Sequence, residues 1–217
     1  MNGVSTELII RSIYETIYMV SVSLLIGTLI GVPLGILLVM TRSNGIKPNR
    51  GFFTILNGFV NILRSVPFII LLVAITPLTR FIVGQTYGST AAIVPLCVYI
   101  FPFIARLVEN SLLEVGQGII ELSKSLGAST FQTIRYFLLP EAMGSLVLTL
   151  TTATIGLIGA TAMAGTIGGG GVGSLAITYG YERFNTFVIF LTVIILIIIV
   201  QIIQGFGNRL AKKLRHE

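Results

Sequence analysis

Long apolar stretches dominate the chain, and most of its charged residues lie between them. A helix that crosses the roughly 30 Å hydrocarbon core of a bilayer needs about 20 apolar residues. Stretches of this length predict five transmembrane helices: Ile13–Met40, a span within Phe52–Thr79, Ala91–Leu113, about Met143 to Ile167, and Phe184–Phe206. Their hydrophobicity extends around every face, without the alternation over about ten residues that marks a membrane barrel. The pattern therefore predicts an all-α, polytopic membrane protein.

The composition agrees with a membrane protein. Hydrophobic residues make up 54% of the 217 residues and charged residues 10%, whereas a soluble domain carries about 25% charged residues. So few charges could not cover a soluble surface, which excludes a soluble enzyme, a disordered chain and a nucleic-acid binder. The lone cysteine, Cys97, excludes an intrachain disulfide and a cysteine-based metal cluster.

Basic residues near the ends of the predicted helices give an orientation. Three of them, Arg11, Arg80 and Arg183, fall on one side. Ten fall on the other side: Arg42, Lys47, Arg50, Arg106, Lys124, Arg135, Arg209, Lys212, Lys213 and Arg215. Because cytoplasmic loops are enriched in Lys and Arg, we expect the N-terminus outside and the C-terminus inside. The chain then divides into an extracytoplasmic segment 1–12, a membrane domain 13–206 with a cytoplasmic loop 114–141, and a basic cytoplasmic tail 207–217.

Ser12 is a candidate start for the first helix. Ser12 and Glu15 have the spacing of a capping box, in which each side chain bonds to a backbone N–H at the helix start. The apolar run that follows is too long for a cleavable signal peptide and has no basic segment before it. We therefore expect the helix to open near Ser12 and to remain in the membrane.

The second span contains an arginine and a proline, Arg64 and Pro67. A charge at mid-membrane depth must pair, reach the interface or face water, and a proline kinks or breaks a helix. One interpretation places 52–63 at the cytoplasmic interface, with the span running from about Val66 to Val83. The other, which we favour, is a long kinked helix with Arg64 facing the bundle interior, where it is a candidate pathway residue.

A glycine-rich segment, 165–173, follows the fourth span. It contains G-x-G-x-x-G, but a dinucleotide site needs a preceding strand and an acidic residue about 20 positions later. Here a membrane span precedes the segment, and the chain has no Asp. The absence of any Gly-Lys pair excludes a P-loop, so ATP energy must come from another chain. We interpret the segment as a tight helix exit, with a backbone surface for an outside partner as the alternative.

Small residues, among them Gly156 and Gly159, crowd the fourth span. Such residues let membrane helices approach closely. Met163 is the one large flexible side chain among them, and its adaptable thioether could close a narrow passage. Ordinary helix packing and a pore-lining role, with Met163 as a candidate gate, are both open.

The longest cytoplasmic segment, about Glu114 to Glu141, predicts two short helices. Ile119, Leu122 and Leu126 form an apolar face on the first, and Gly127 is placed to end it. A capping box, Ser129-x-x-Gln132, opens the second, which runs over 130–139. Pro140 then closes that helix or starts the next span. The apolar face indicates a partner, or else a helix that lies on the lipid headgroups.

The same segment resembles a known loop. Its pattern is Glu121-Leu-Ser, three residues, Gly127, nine residues and then Phe137-x-Leu139-Pro140. This pattern is similar to the loop motif of ABC-importer permeases. That motif reads E-A-A, three residues, G, nine residues, I-x-L-P. Leu122 and Ser123 replace the two alanines, and Phe137 replaces the isoleucine. The resemblance implies an ATPase-coupling role for Glu121, Leu122, Ser123, Gly127, Ala128, Phe137, Leu139 and Pro140.

The resemblance extends from about Arg11 to Arg209 and is closest to the methionine-importer permeases. The segments that carry it are 64–73, 92–96, 102–110, 162–165 and 179–184. It implies a type I ABC importer transmembrane domain that works as a homodimer in the cell membrane. Its partners would be two ABC ATPase subunits and an outside substrate-binding lipoprotein, and the pair would form the pathway for methionine, with methionine derivatives as further candidates. Such a subunit does no chemistry and needs no cofactor.

Other functions compete with this one. Within the class, the substrate could be another amino acid or small solute. An ion-coupled carrier is a different class, but it normally keeps ionisable groups at membrane depth, and only Glu15 and Glu109 lie near span ends here. A structural membrane scaffold would show no substrate-dependent ATP hydrolysis.

Overall fold

The computed structural model describes residues 4–215, and within them all regular structure is helical. The ten α-helices are α1 (Thr6–Thr41), α2 (Arg50–Ser65), α3 (Phe68–Ala74), α4 (Thr76–Val83), α5 (Ser89–Leu113), α6 (Gln117–Ser125), α7 (Thr130–Gln132), α8 (Leu139–Ala164), α9 (Gly171–Leu175) and α10 (Thr186–Arg215). Residues 1–3 of the predicted N-terminal segment and 216–217 of the predicted tail lie outside the described residues. The rest of the tail continues α10 as a helix.

Within residues 4–215, four helical segments are long and apolar enough to cross a membrane: α1, α5, α10 and the continuous run Thr130–Ile167 that contains α8. Helices α2 and α3 are long and apolar enough only together, as one broken span or a re-entrant loop. The prediction of an all-α, polytopic membrane protein is therefore confirmed, and the four to five candidate spans agree with the five predicted.

Helices α1 and α5 form the most extensive contact in the structure, along a row of glycines. Gly27, Gly31 and Gly35 recur every fourth residue, so they form one face of α1. A Cβ atom on Gly31 would lie 2.6 Å from the carbonyl oxygen of Phe101, and one on Gly35 would lie 2.7 Å from that of Ala105. The backbones thus approach as closely as small residues allow. Sequence reasoning did not single out this row.

The second span differs from the favoured prediction. Helix α2 ends at Ser65 and α3 begins at Phe68, and the two are bent by 98°. Pro67 disfavours the helical conformation at the residue before it, and Val66 is extended, with φ −81° and ψ 121°. The long kinked helix was therefore wrong, and Arg64 is exposed instead of facing the core of its own chain.

The first helix also begins earlier than Ser12. Ser5 is the N-cap, and its Oγ accepts a hydrogen bond from the N–H of Leu8 at 3.2 Å. Ser12 is buried inside the helix. The capping-box spacing at Ser12 was misleading because Ser5 already caps the helix two turns earlier, and Leu8, Ile9 and Ile10 extend its apolar run toward the N-terminus.

Glu15 and Thr16 bind the glycine-rich segment. The N–H of Gly171 donates to Glu15 Oε2 at 2.8 Å, and the N–H of Val172 donates to Thr16 Oγ1 at 2.9 Å. Gly170 and Gly171 have φ values of +78° and +76°, which a side chain opposes. The segment is thus a helix exit packed against α1, and these backbone groups are not offered to a partner.

The helix predicted at 130–139 continues directly into α8. A π-helical turn, Thr133–Leu138, joins α7 to α8, and the N–H of Leu139 donates to the carbonyl of Ile134 five residues back. Pro140 lies in the first turn of α8, and it has no N–H to donate to a preceding carbonyl. The wider π turn accommodates that missing bond, so Pro140 starts the span without interrupting the helix.

The glycine row predicts a sharp sensitivity to added volume. We expect Gly31→Ala to lower the stability by about 1–3 kcal/mol, because the methyl group meets backbone that cannot move aside. Thermal melting of the purified protein measures this. Gly205→Ala on α10 is the control, since nothing lies within 4 Å of its added Cβ and alanine favours helix by up to about 1 kcal/mol. Equal melting temperatures for the two variants would contradict the close approach.

Candidate coupling segment and polar helix crossing

The predicted coupling segment, residues 114–141 and called the coupling segment below, turns sharply at Gly127. The N–H of Gly127 donates to the carbonyl of Lys124, and the N–H of Ala128 donates to that of Ser123, both at 3.0 Å. These two bonds form a Schellman motif, which ends α6. Gly127 has φ +70°, so the predicted role of this glycine in ending the helix is confirmed.

A complete capping box opens the helix after the turn. The N–H of Ser129 donates to Gln132 Oε1 at 2.8 Å, and the N–H of Gln132 donates to Ser129 Oγ at 3.3 Å. Across the turn, the hydroxyls of Ser123 and Thr133 lie 3.1 Å apart in a buried hydrogen bond. Ser123, which stands where the loop motif has an alanine, therefore has a structural role. Its hydroxyl links α6 to the helix that follows the turn.

The coupling segment exposes large apolar side chains. Leu126 is 67% exposed and Phe131 is 71% exposed, although both lie on a structured helical turn. The residues that the motif indicated fall into three groups. Glu121, Leu122, Gly127 and Pro140 are exposed, Ala128, Phe137 and Leu139 are half-buried, and Ser123 is buried. Beside them, a groove of about 600 Å³ separates Tyr136 and Phe137 from Arg215 at the end of α10.

Met163 and Arg64, the other two candidate residues, lie at different levels of the molecule. Met163 is 51% exposed and stands one residue before the end of α8. The Arg64 guanidinium lies 6.0 Å from the ring centre of Phe103, near the middle of α5. The structure therefore brings the coupling residues together as one segment and leaves these two apart from it.

A polar crossing between α2 and α5 was not predicted. Arg106 Nη2 on α5 donates to the Oδ1 atoms of Asn57 and Asn61 on α2, each at 2.7 Å. Arg106 Nη1 also pairs with Glu109, and Arg42 Nη1 after α1 lies 3.9 Å from Glu109 Oε1. This polar crossing, defined by Arg42, Asn57, Asn61, Arg106 and Glu109, joins three elements. The sequence feature that could have indicated this crossing is the four-residue spacing of Asn57 and Asn61.

Glu109 is the centre of that crossing. It is 2% exposed and is the one charged residue that is fully buried within residues 4–215. An unpaired carboxylate would be very costly there, so the two arginines compensate it. Arg106 is itself only 18% exposed, so removing Glu109 would leave the charge of Arg106 unpaired.

These features fit one class of membrane protein: a transport subunit with a structured loop for another chain and no nucleotide site of its own. The family model for the inner membrane component of binding-protein-dependent transport systems matches residues 27–216. The chain therefore belongs to that family.

Individual relatives match over most of their length. The chain is 43% identical to the probable D-methionine transport system permease protein of Vibrio cholerae, over 99% of this chain and 95% of that protein. It is 49% identical to the D-methionine permease protein of Escherichia coli over 73% of each chain.

Solved structures agree with the fold. A chain of the inward-facing methionine ABC transporter MetNI superposes with a TM-score of 0.96, at 44% identity and 99% coverage of both chains. An amino acid ABC transporter crystallised with histidines superposes with a TM-score of 0.79 at 18% identity, over 96% of this chain and 94% of that one. The second likeness concerns the fold alone.

The buried position of Glu109 predicts a large cost for its removal. We expect Glu109→Ala to lower the stability by about 3–5 kcal/mol, because Arg106 keeps a buried charge without its partner. Glu109→Gln should cost less, since its amide oxygen still accepts a hydrogen bond. Melting curves in detergent measure both. Arg11→Ala is the control, because Arg11 is 75% exposed and an exposed pair is worth about 0–1 kcal/mol. Comparable losses in Arg11→Ala and Glu109→Ala would refute the argument.

Proposed function

We propose that this chain is the permease subunit of an ATP-driven ABC importer that carries methionine across the cell membrane. The observation that carries the proposal is the coupling segment: a rigidly capped turn between two spans that exposes Leu126 and Phe131. An apolar surface of this kind outside the spans needs a partner. The identity with D-methionine permeases supports the substrate, and the chain itself supplies neither ATP hydrolysis nor other chemistry.

The working assembly is a homodimer of this chain with two ABC ATPase subunits and an outside substrate-binding lipoprotein. Helix α8 supports the dimer, because Gly156 and Gly159 have open space where a Cβ atom would stand. A two-fold axis along such a face lets two copies approach closely. Met163 continues this face four residues after Gly159 and is the proposed gate.

Coupling then follows from rigid-body motion. The coupling segment docks on an ATPase subunit, with Glu121 at its exposed edge and Gly127 holding the turn. When ATP binding brings the ATPase subunits together, the docked segments move the spans between inward-open and outward-open arrangements. Arg64 faces the pathway between the two copies.

The proposed orientation places the N-terminal segment 1–12 outside and the coupling segment and the basic tail 207–217 in the cytoplasm. The membrane domain occupies 13–206. The ten-to-three distribution of basic residues supports this direction.

Reconstitution tests the whole proposal. Vesicles that contain this chain with its ATPase should take up methionine only when ATP and the binding protein are present, and methionine should stimulate ATP hydrolysis. Uptake driven by an ion gradient without ATP would favour a carrier. The absence of both uptake and stimulated hydrolysis would favour a scaffold.

Cysteine labelling tests the orientation. In a Cys97→Ser background, we expect a membrane-impermeant reagent to label Glu182→Cys in intact cells and to label Ser43→Cys only after the membrane is opened. Both positions are exposed, so accessibility depends on the side of the membrane. Labelling of Ser43→Cys from outside would reverse the topology.

Gly127 should be essential for coupling but not for the folding of the membrane spans. We expect Gly127→Trp or Gly127→Pro to abolish stimulated ATP hydrolysis and uptake while melting changes little, because a positive φ costs other residues about 1–2 kcal/mol and distorts the turn. Glu121→Lys should be milder, since an exposed pair is worth about 1 kcal/mol or less. Gly118→Ala on α6 is the control, with open space around the added Cβ and no positive φ. Normal coupling in Gly127→Trp would rule out this role.

Met163→Ala tests the gate. If Met163 closes the pathway, the variant should leak substrate or hydrolyse ATP faster in the absence of methionine. A purely packed methionine would lose about 2–5 kcal/mol of stability without a leak, but the 51% exposure of Met163 leaves it little packing to lose within the chain. Met143→Ala is the matched control, being 43% exposed on the same helix. An unchanged basal rate with a lowered melting temperature would end the gate hypothesis.

A further inference from the structure

Helix α2 has a polar face and an apolar face. Asn57, Asn61 and Arg64 are spaced by four and three residues, so they lie along one side. Ile55 and Ile62 lie on the opposite side and are 75% and 68% exposed. The apolar side suits lipid, whereas the polar side faces α5 and the space beside it.

Hydrogen-bond donors remain available along the polar face. The Oδ1 atoms of Asn57 and Asn61 both accept from Arg106, so the NH₂ group of each amide is left to donate. Asn61 and Arg64 are exposed. A row of amide and guanidinium donors is thus accessible from outside the chain.

Arg64 stands level with the middle of α5, which is a candidate membrane span. Its guanidinium lies 6.0 Å from the ring centre of Phe103, and Phe103 is two residues from the midpoint of α5, about 3 Å along the helix axis. A guanidinium at this depth is costly in lipid. It forms no ion pair within residues 4–215, so its exposed side must face water or another chain.

Positive charge exceeds negative charge around the row. Arg42 and Arg106 share the one carboxylate of Glu109, and Arg64 adds a third guanidinium. Three cations less one anion leave two positive charges. Helices α2, α3 and α4 contain no acidic residue that could compensate them. The polar face is therefore suited to receive an anion.

We propose that Arg64 and Asn61, with Asn57 beside them, form a binding site for the α-carboxylate of the substrate inside the translocation pathway. The inference rests on the proposed import function and adds to it the group that the permease recognises. A guanidinium binds a carboxylate through two parallel hydrogen bonds, and the amide NH₂ groups supply further donors. Glu109 holds Arg106 and so fixes the two asparagines, while Arg64 is left for the substrate.

Binding to the permease–ATPase complex without the binding protein tests the site, because the binding protein would add its own selectivity. Phosphatidylcholine nanodiscs keep anionic lipid headgroups from competing. Radiolabelled methionine is displaced by unlabelled methionine or by methioninamide, which keeps the side chain and lacks the carboxylate. We expect methionine to displace the label at a concentration at least tenfold lower than methioninamide does.

The variants assign that preference to residues. Arg64→Gln should abolish the tenfold preference, Arg64→Lys should retain part of it, and Asn61→Ala should reduce it several-fold. Arg80→Gln, which removes an exposed arginine from α4, should leave it unchanged. The proposal is overturned if the wild-type complex shows no preference for the carboxylate, or if Arg64→Gln keeps it. Should Arg64→Gln not assemble, an unchanged preference in Asn61→Ala overturns it equally.

Uptake by complete wild-type vesicles tests the proposed function separately. If those vesicles import a different amino acid, that amino acid and its amide become the probes. The ratio of the concentrations at which they displace the label then tests the carboxylate site in the same way. If they import methionine while the complex without binding protein binds none, the import function stands and the carboxylate site is rejected.

Discussion

The close approach of α1 and α5 is the constraint on which the rest of the structure depends. Gly27, Gly31 and Gly35 let the two backbones meet, with Ile100 and Ile104 of α5 fully buried in the seam. Lipid provides no hydrophobic force between helices, so dispersion contacts at short range must hold the pair. Once the pair is formed, α1 also presents Glu15 and Thr16 to the glycine-rich segment, and α5 presents Arg106 to α2.

Helix α2 is held differently, through charge and hydrogen bonds. Its only fully buried residue is Val60, so little apolar packing fixes it, and Arg106 instead bonds to Asn57 and Asn61. Such a contact is directional and involves little apolar packing, whereas the glycine row cannot be opened without leaving a void. The core pair is therefore suited to stay fixed while α2, beyond its break at Pro67, is suited to line a pathway.

Sequence reasoning predicted what local rules control. Hydropathy placed five spans, and the Gly127 and Ser129 caps follow from backbone geometry that involves a few neighbouring residues. The sequence-based predictions failed where contacts between residues far apart in the chain determine the structure. Ser12 had the spacing of a cap, but Ser5 lies two turns earlier and caps the helix instead. The kink at Pro67 became a complete break because Val66 is extended, and the Arg106 crossing needed knowledge that α2 lies against α5. The glycine row was visible as a four-residue repeat, but its partner was not.

The continuity between α7 and α8 links the two ends of the proposed mechanism. A proline inside a helix normally breaks or kinks it, which would separate a docking loop from the span behind it. Here the π turn before Pro140 absorbs the missing bond, so residues 130–164 form one helical rod of about 50 Å. Ser129 caps the rod at the coupling end, and Met163 stands next to its other end. In the proposed mechanism, this rod would carry a displacement of the coupling segment directly to the far end of α8.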